Sequence, residues 1–349
     1  MRYKLLGRSG LRVSELALGA MSFGEEWGWG ASKQRSREMF DAYAEAGGNF
    51  IDTANRYTEG TSEKYVGEFI KSDRDHFVVA TKYTLFTRQG DPNFSGNHRK
   101  NMVQALEASL ERLGTDYIDL YWVHAWDYTT PVDEVMRGLD DLVRQGRVLY
   151  VGVSDTPAWI VSHANTLADL RGWSRFVALQ IRYSLIDRTA EADLLPMARA
   201  FDLAVTPWSI LAAGVLSGKY NLPAPPKEGR AKEGAAKVER NLAIAGEVVA
   251  VADELGCSPS QIAISWIRQQ PGVIVPLIGA SDLSQLKDNL GALNVTLSDG
   301  HLKRLDEASR VDLGFPHNFL REENVRELVY GGTHGSIHNH RLRWSGEPL

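Results

Sequence analysis

Eight short runs of apolar and β-branched residues punctuate this 349-residue chain, and a helical pattern lies between most neighbours. The runs are residues 16–19, 49–52, 77–81, 118–123, 148–154, 177–180, 204–207 and 273–276. Runs this short and this apolar suit strands buried on both faces. The clearest helical patterns are residues 32–46, 61–70, 100–113, 131–145, 191–200 and 259–270. In MVQALEASLERLG, apolar residues recur at three- and four-residue spacing, and Gly114 suits the left-handed position past the helix end. Pro131 reads as a first-turn proline after Thr130, whose hydroxyl would cap the helix. Strands alternating with helices imply a parallel sheet wrapped by helices. Eight such units imply closure into an α/β fold, the (β/α)8 or TIM barrel.

No composition break divides the chain, so one domain is expected over residues 1–349. Three segments lie outside the eight-fold pattern. YKLLGRSGLRVSEL reads as an N-terminal β-hairpin. Residues 221–237, rich in proline, glycine and charge, read as an excursion or lid after the seventh strand, and residues 312–349 as a long tail or crossing loop.

The net charge of −5 is spread over interspersed acids and bases, with no basic stripe for nucleic acid and no lysine-rich membrane face. No apolar run approaches the ~18 residues of a membrane span, and MRYKLLGRSGLRVSEL lacks the apolar core of a signal peptide. The one cysteine, Cys257, cannot form an internal bridge and reads as a capping-loop residue. A cytoplasmic protein is expected.

Four polar residues sit just past successive strand candidates: Asp52 and Tyr57 in NFIDTANRY, Lys82 in VVATKY and His124 in LYWVHAW. In a (β/α)8 barrel the C-terminal strand ends carry the active site, so the four would share one rim. A phenol has a pKa near ~10, too high for ready proton exchange at neutrality. An ammonium ~4 Å away at an effective dielectric of ~20 is worth about 4 kcal/mol, enough to lower it by up to ~3 units. Asp52 would keep Lys82 charged and oriented, His124 would hydrogen-bond a substrate oxygen, and Tyr57 would donate the proton. Singly, each has a bland reading as a cap, loop aromatic, solvated charge or core imidazole. Their coincidence at consecutive strand ends favours catalysis.

These segments, with GRSGLRVSELALGAMSFG before them and PLIGASDLSQLKDNLGAL after, resemble the aldo-keto reductase family over roughly residues 1 to 310. The resemblance implies a barrel that reduces aldehydes or ketones, reversibly, with a nicotinamide cofactor and the four residues in the roles above. It implies that Ser154 and Gln180, with Asp155 beside them, hold the carboxamide, and that Trp208 stacks on the nicotinamide ring. Met21, Ser209, Leu211, Gly214 and Lys219 match further cofactor positions, the last four along the pyrophosphate path. The pattern GASxxxQLxxN, which includes Gly279, Ser281, Gln285 and Asn289, is similar to the branch that includes potassium-channel β-subunits. There serine, glutamine and a lid arginine grip a 2′-phosphate, and Ser281, Gln285 and Arg230 match them. NADP(H) is therefore expected, while Asp282 and Asp155, where many members differ, leave NAD(H) open.

Trp27 and Trp29 in the first strand–helix loop, with Phe86 and Trp126, would wall a pocket for a small carbonyl or alcohol with an apolar or aromatic body. The histidines of THGSIHNH (His334, His338, His340) lack the further ligands a zinc site needs, and no metal is expected. The alternative to a reductase is a cofactor-binding, redox-sensing subunit of another protein, against which the intact His124 counts. A barrel aldolase using Lys82 as a Schiff base would leave Trp208 and the segment from Gly279 to Asn289 without a role. The substrate and the oligomeric state are not legible.

Overall fold

A computed structural model describes residues 1–222 and 238–338. Strands β1 (Tyr3–Leu5) and β2 (Arg12–Ser14) pair antiparallel as the expected hairpin. Eight parallel strands follow: β3 (Ala17–Gly19), β4 (Phe50–Asp52), β5 (Val78–Tyr83), β6 (Ile118–Val123), β7 (Val148–Ser154), β8 (Phe176–Arg182), β9 (Ala204–Trp208) and β10 (Leu277–Ile278). They pair in chain order from β3 to β9, with β10 beside β3. The seam between β9 and β10 is bridged where Val205 N donates to Val273 O at 2.7 Å and Val275 N donates to Val205 O at 2.8 Å. The fold is a (β/α)8 barrel.

The eighth strand departs from expectation. Residues 273–276 were predicted to form it, but the ladder with β3 lies at Leu277–Ile278, while residues 273–275 pair with β9. Pro276 divides the two stretches: it has no N–H to donate, and its carbonyl accepts from Ala17 N at 2.9 Å.

Helices α1 (Lys33–Glu45), α2 (Thr61–Ile70), α3 (Arg99–Leu113), α4 (Val132–Arg144), α5 (Ala158–Arg171), α6 (Leu194–Ala200), α7 (Glu239–Leu255), α8 (Pro259–Arg268), α9 (Leu283–Gly291) and α10 (Asp299–Ser309) cover the barrel. Gly114 ends α3 in the left-handed conformation, and Ser258 opens α8 with a capping box. Thr130 does not cap α4: Pro131 is the N-cap residue, and the Thr130 hydroxyl donates to Asp127 Oδ2 at 2.8 Å. Two further short helices, α11 (His317–Arg321) and α12 (Glu323–Tyr330), occupy what was expected as tail. Among the described residues no helix is long and apolar enough to cross a membrane.

Strand alternation sorts the side chains. Ile51, Val79, Tyr121, Val153, Leu179 and Val205 face outward into the layer packed against the helices. Phe50, Ala80, Leu120, Trp122, Ala178 and Ala204 join a second cluster inside the barrel. Positions of the same inward parity nearer the strand ends are Asp52, Lys82, Ser154, Gln180 and Trp208. The hairpin closes the opposite mouth: Lys4 Nζ donates to Ile274 O at 2.6 Å and Arg8 N to Asp202 O at 2.8 Å. Glu15 is buried there between Arg2 and Arg268, which hold its carboxyl down at about 2 against the opposing effect of burial.

The Trp122 ring, fully buried, fills the barrel beneath the open end. Gly152 makes room for it, since a Cβ there would lie 2.4 Å from the indole. Gly152→Ala should therefore lower stability by about 1–3 kcal/mol in urea denaturation. An unchanged midpoint would mean that the ring yields freely.

Candidate active site

Strands β4 and β5 are neighbours, and their register aligns Asp52 with Ala80, two residues before Lys82. Lys82 is wholly buried, and its ammonium donates to three acceptors. Nζ lies 2.5 Å from Asp52 Oδ2, 2.8 Å from the Thr53 carbonyl and 3.0 Å from the Tyr57 hydroxyl. The other carboxylate oxygen, Asp52 Oδ1, accepts from Gln180 Nε2 at 3.0 Å, reaching across the barrel. His124 lies past β6, its ring 5.8 Å from that of Tyr57 and nearly perpendicular to it. The four residues predicted to converge do so.

Their electrostatics follow from burial and charge together. Burial alone would discharge Lys82, but Asp52 and then Tyr57 more than offset it, and its pKa is raised. Burial also raises the Tyr57 phenol. Lys82 opposes that and Asp52 adds to it, with the net direction upward. The predicted lowering by Lys82 is thus real in sign but smaller than the desolvation it meets. The phenol keeps its proton at neutrality, and because Lys82 donates to its oxygen, that proton is free to point elsewhere. His124 is driven well below the ordinary histidine range by burial and then by Lys82, so it is neutral at pH 7. Its Nδ1 is enclosed without a hydrogen-bond partner, which leaves Nε2 to address a ligand.

The remaining strand ends carry the polar positions. Ser154 pairs in register with Gln180, and Arg182 with Trp208. The Trp208 indole N–H donates to Asp155 Oδ1 at 3.2 Å, and the Arg182 guanidinium lies 5.8 Å from the ring centroid. Past β9, Ser209, Ala212, Ala213 and Gly214 all have positive φ. A Cβ on Gly214 would come within 2.9 Å of Lys219 Nζ, so this tight loop keeps backbone and ammonium close. A model of the aldo/keto reductase family matches residues 15–310.

The chain belongs to that family.

It is 40% identical over 328 residues to a norsolorinic acid reductase of Aspergillus flavus, covering 91% of this chain and 83% of the relative. It is 38% identical over 342 residues to an aryl-alcohol dehydrogenase [NADP(+)] of Phanerodontia chrysosporium, covering 92% and 89%. An aldo-keto reductase of Emericella nidulans is 37% identical over 333 residues, covering 91% and 84%. The protein is an oxidoreductase.

In this aldo/keto reductase the eighth βα loop is organised around Asp282. It caps α9, accepting from Gln285 N at 2.9 Å, Gln285 Nε2 at 2.8 Å and Ser284 Oγ at 2.7 Å. Burial opposes ionisation, but these bonds and the charge of Arg35 hold its carboxyl below the usual range. Ser281 donates from both N and Oγ to Gln285 Oε1, and the buried Asn289 donates to Gly279 O at 3.2 Å. Met21 is exposed, and the next residue, Ser22, ties its loop to Ala280 O at 2.7 Å. Arg230 lies outside the described residues, as does His340.

Of the expected pocket walls, Trp27 stands 6.4 Å from Tyr57 and 5.6 Å from Trp29, ring to ring. Phe86 is exposed beneath the Arg56 guanidinium at 4.6 Å, and Trp126 packs half-buried on the outer core. Sequence reading missed Arg56, Glu59 and Arg182. Glu59 accepts from Trp27 Nε1 at 3.0 Å and pairs with Arg56, which braces the aromatic wall beside Tyr57. Only the inward parity of Arg182 could have singled it out. Cys257 precedes the cap of α8, its thiol pushed up by burial and by Asp288, in keeping with a capping-loop residue.

Removing the ammonium should expose how tightly the rim is coupled. Lys82→Met leaves the Asp52 carboxylate buried without a countercharge and should cost about 3–5 kcal/mol of stability. Adding Asp52→Asn to the same variant should restore much of that loss in urea titrations. Equal midpoints for the single and double variants would contradict the coupling.

Proposed function

We propose that this enzyme reduces aldehydes or ketones to alcohols with NADP(H), reversibly, and that Tyr57 is the proton donor. The observation that carries the reading is the Lys82 ammonium, whose three hydrogen bonds hold the Tyr57 hydroxyl beside a buried ion pair. Tyr57 gives its proton to the carbonyl oxygen, and Lys82, already bonded to the phenol oxygen, stabilises the phenolate that remains. Neutral His124 orients the substrate oxygen through Nε2 without adding a second cation. A nicotinamide held against Trp208 would supply the hydride that the carbonyl carbon receives.

The residues present fit such a cofactor. Trp208 offers a flat face at the rim, and with its amide nitrogen committed to Asp52, Gln180 keeps its oxygen for a carboxamide N–H2. Ser154 and Asp155 flank the same place. Ser209, Leu211, Gly214 and Lys219 line a close-approach loop suited to pyrophosphate. Gly279, Ser281, Gln285 and Asn289, held together in the eighth βα loop, would take the adenosine end, and Met21 is a further cofactor position; Arg230, matched by sequence to the 2′-phosphate, lies outside the described residues. Asp282 is engaged in capping its own helix, which leaves it poorly placed to bind ribose hydroxyls and favours NADP(H) over NAD(H). The fungal relative that bears NADP(+) in its name agrees. The names of the relatives and the wall of Trp27, Trp29 and Phe86 together point to aromatic carbonyl compounds as substrates.

Tyr57→Phe should lower the rate of NADPH oxidation with an aromatic aldehyde by roughly 10²–10⁴-fold. It should leave NADPH binding, followed by tryptophan quenching, intact. Turnover near that of the unaltered enzyme would exclude Tyr57 as the acid. Tighter quenching by NADH than by NADPH would exclude the cofactor preference.

A further inference from the structure

The charges at the open end of the barrel do not balance. Lys82 is matched by Asp52 at 2.5 Å, Arg182 by Asp187 at 2.7 Å, and Arg56 by Glu59. His124 is neutral. Asp155 forms no ion pair among the described residues, and its one side-chain hydrogen bond comes from an uncharged donor, the Trp208 indole, at 3.2 Å. Its backbone is fixed as well: Asp155 N donates to Gln180 O at 3.2 Å, and its φ of 41° is a left-handed conformation that Asp and Asn tolerate better than most residues. Burial raises the pKa of this carboxyl, opposed by the Trp208 hydrogen bond and by the charges of Lys82 and Arg182, and the carboxylate in turn adds to the upward shift of the Tyr57 phenol.

We infer that Asp155 is an unpaired negative charge built into the nicotinamide subsite, where it makes the site bind the oxidised, cationic ring more tightly than the reduced, neutral one. This rests on the proposed stacking of a nicotinamide on Trp208. The neutral ring brings no countercharge to Asp155, whereas the cationic ring would supply one. Asp155 is itself exposed, so the difference escapes screening only for a ring stacked directly beside it on Trp208. The ring would carry this positive charge once its hydride had gone to the carbonyl carbon, while the proton from Tyr57 goes to the carbonyl oxygen. Asp155 therefore strengthens hydride donation on the enzyme without altering the overall equilibrium. Its hydrogen bond to Trp208 is a separate, positioning role.

Isothermal titration calorimetry with NADP+ and, separately, NADPH distinguishes the two roles, because the adenosine and phosphate contacts are common to both ligands and cancel in the ratio. Asp155→Asn removes the charge but keeps an acceptor for the indole and suits the same backbone. It should weaken NADP+ binding roughly tenfold more than NADPH binding. A tenfold change in that ratio equals about 30 mV in the potential of the bound two-electron couple. Trp208→Phe, which keeps the carboxylate but not its hydrogen bond, should weaken both ligands and shift the ratio less than Asp155→Asn does. Equal weakening of both ligands by Asp155→Asn, or no change in either, would overturn the inference and leave the cofactor assignment standing. Failure of the unaltered protein to bind either nucleotide would overturn both.

Discussion

A buried ammonium has three protons and no water to take up an idle one, and the open end of this barrel is arranged around that demand. Lys82 meets it with a carboxylate from the adjacent strand, a main-chain carbonyl just beyond that strand and a phenol from the loop that follows. Removing any one would leave a charge or a polar group unsatisfied in a dry interior, at a cost of about 1–3 kcal/mol or more. The second oxygen of Asp52 is held by Gln180, 128 residues away in sequence. Opposite sides of the barrel are thereby tied at the height where the chemistry would occur. The geometry of the phenol is a by-product of satisfying the lysine.

That arrangement needs a closed sheet. With strand order running from β3 to β10 around the ring, inward positions face one another across a small interior, and residues of one parity meet whatever their separation in sequence. The lower layers are filled by Phe50, Ala80, Leu120 and Trp122, so the polar side chains rest on an apolar floor. The floor strengthens the electrostatics above it, because each charge there has protein on most sides. Burial drives the neutral state of His124 and the high pKa of Tyr57 alike.

Much of this was legible in the sequence because strand ends and parity are periodic properties. Asp52, Lys82 and His124 could be placed without knowing any contact. Three things were not legible. The eighth strand was misplaced because an apolar run does not say which neighbour each residue pairs with, and Pro276 splits that run between two partners. Thr130 looked like a cap until Asp127, three residues earlier in the chain, took its hydroxyl. The net direction of the Tyr57 shift could not be read because the attraction of one lysine can be estimated from type and distance, whereas the opposing desolvation depends on every neighbour.

Backbone strain is distributed as unevenly as charge. Among the described residues nine other than glycine adopt positive φ, and eight of them, Thr58, Glu59, Thr84, Tyr128, Asp155, Ser209, Ala212 and Ala213, lie in loops that leave the C-terminal ends of strands. Asp202, in the turn entering β9, is the exception. Such conformations cost about 1 kcal/mol or more each and persist only where the surroundings over-determine them. The opposite mouth holds the contrasting features: a hairpin hydrogen-bonded to the turn before β9, and Glu15 held between two arginines. Stabilising contacts at one end and strained loops at the other share a single sheet, so the closed end can support an open end that would not hold its shape alone. Asp155 shows what that support permits: a carboxylate without a counterion among the described residues, in a left-handed conformation, beside the indole whose N–H it accepts.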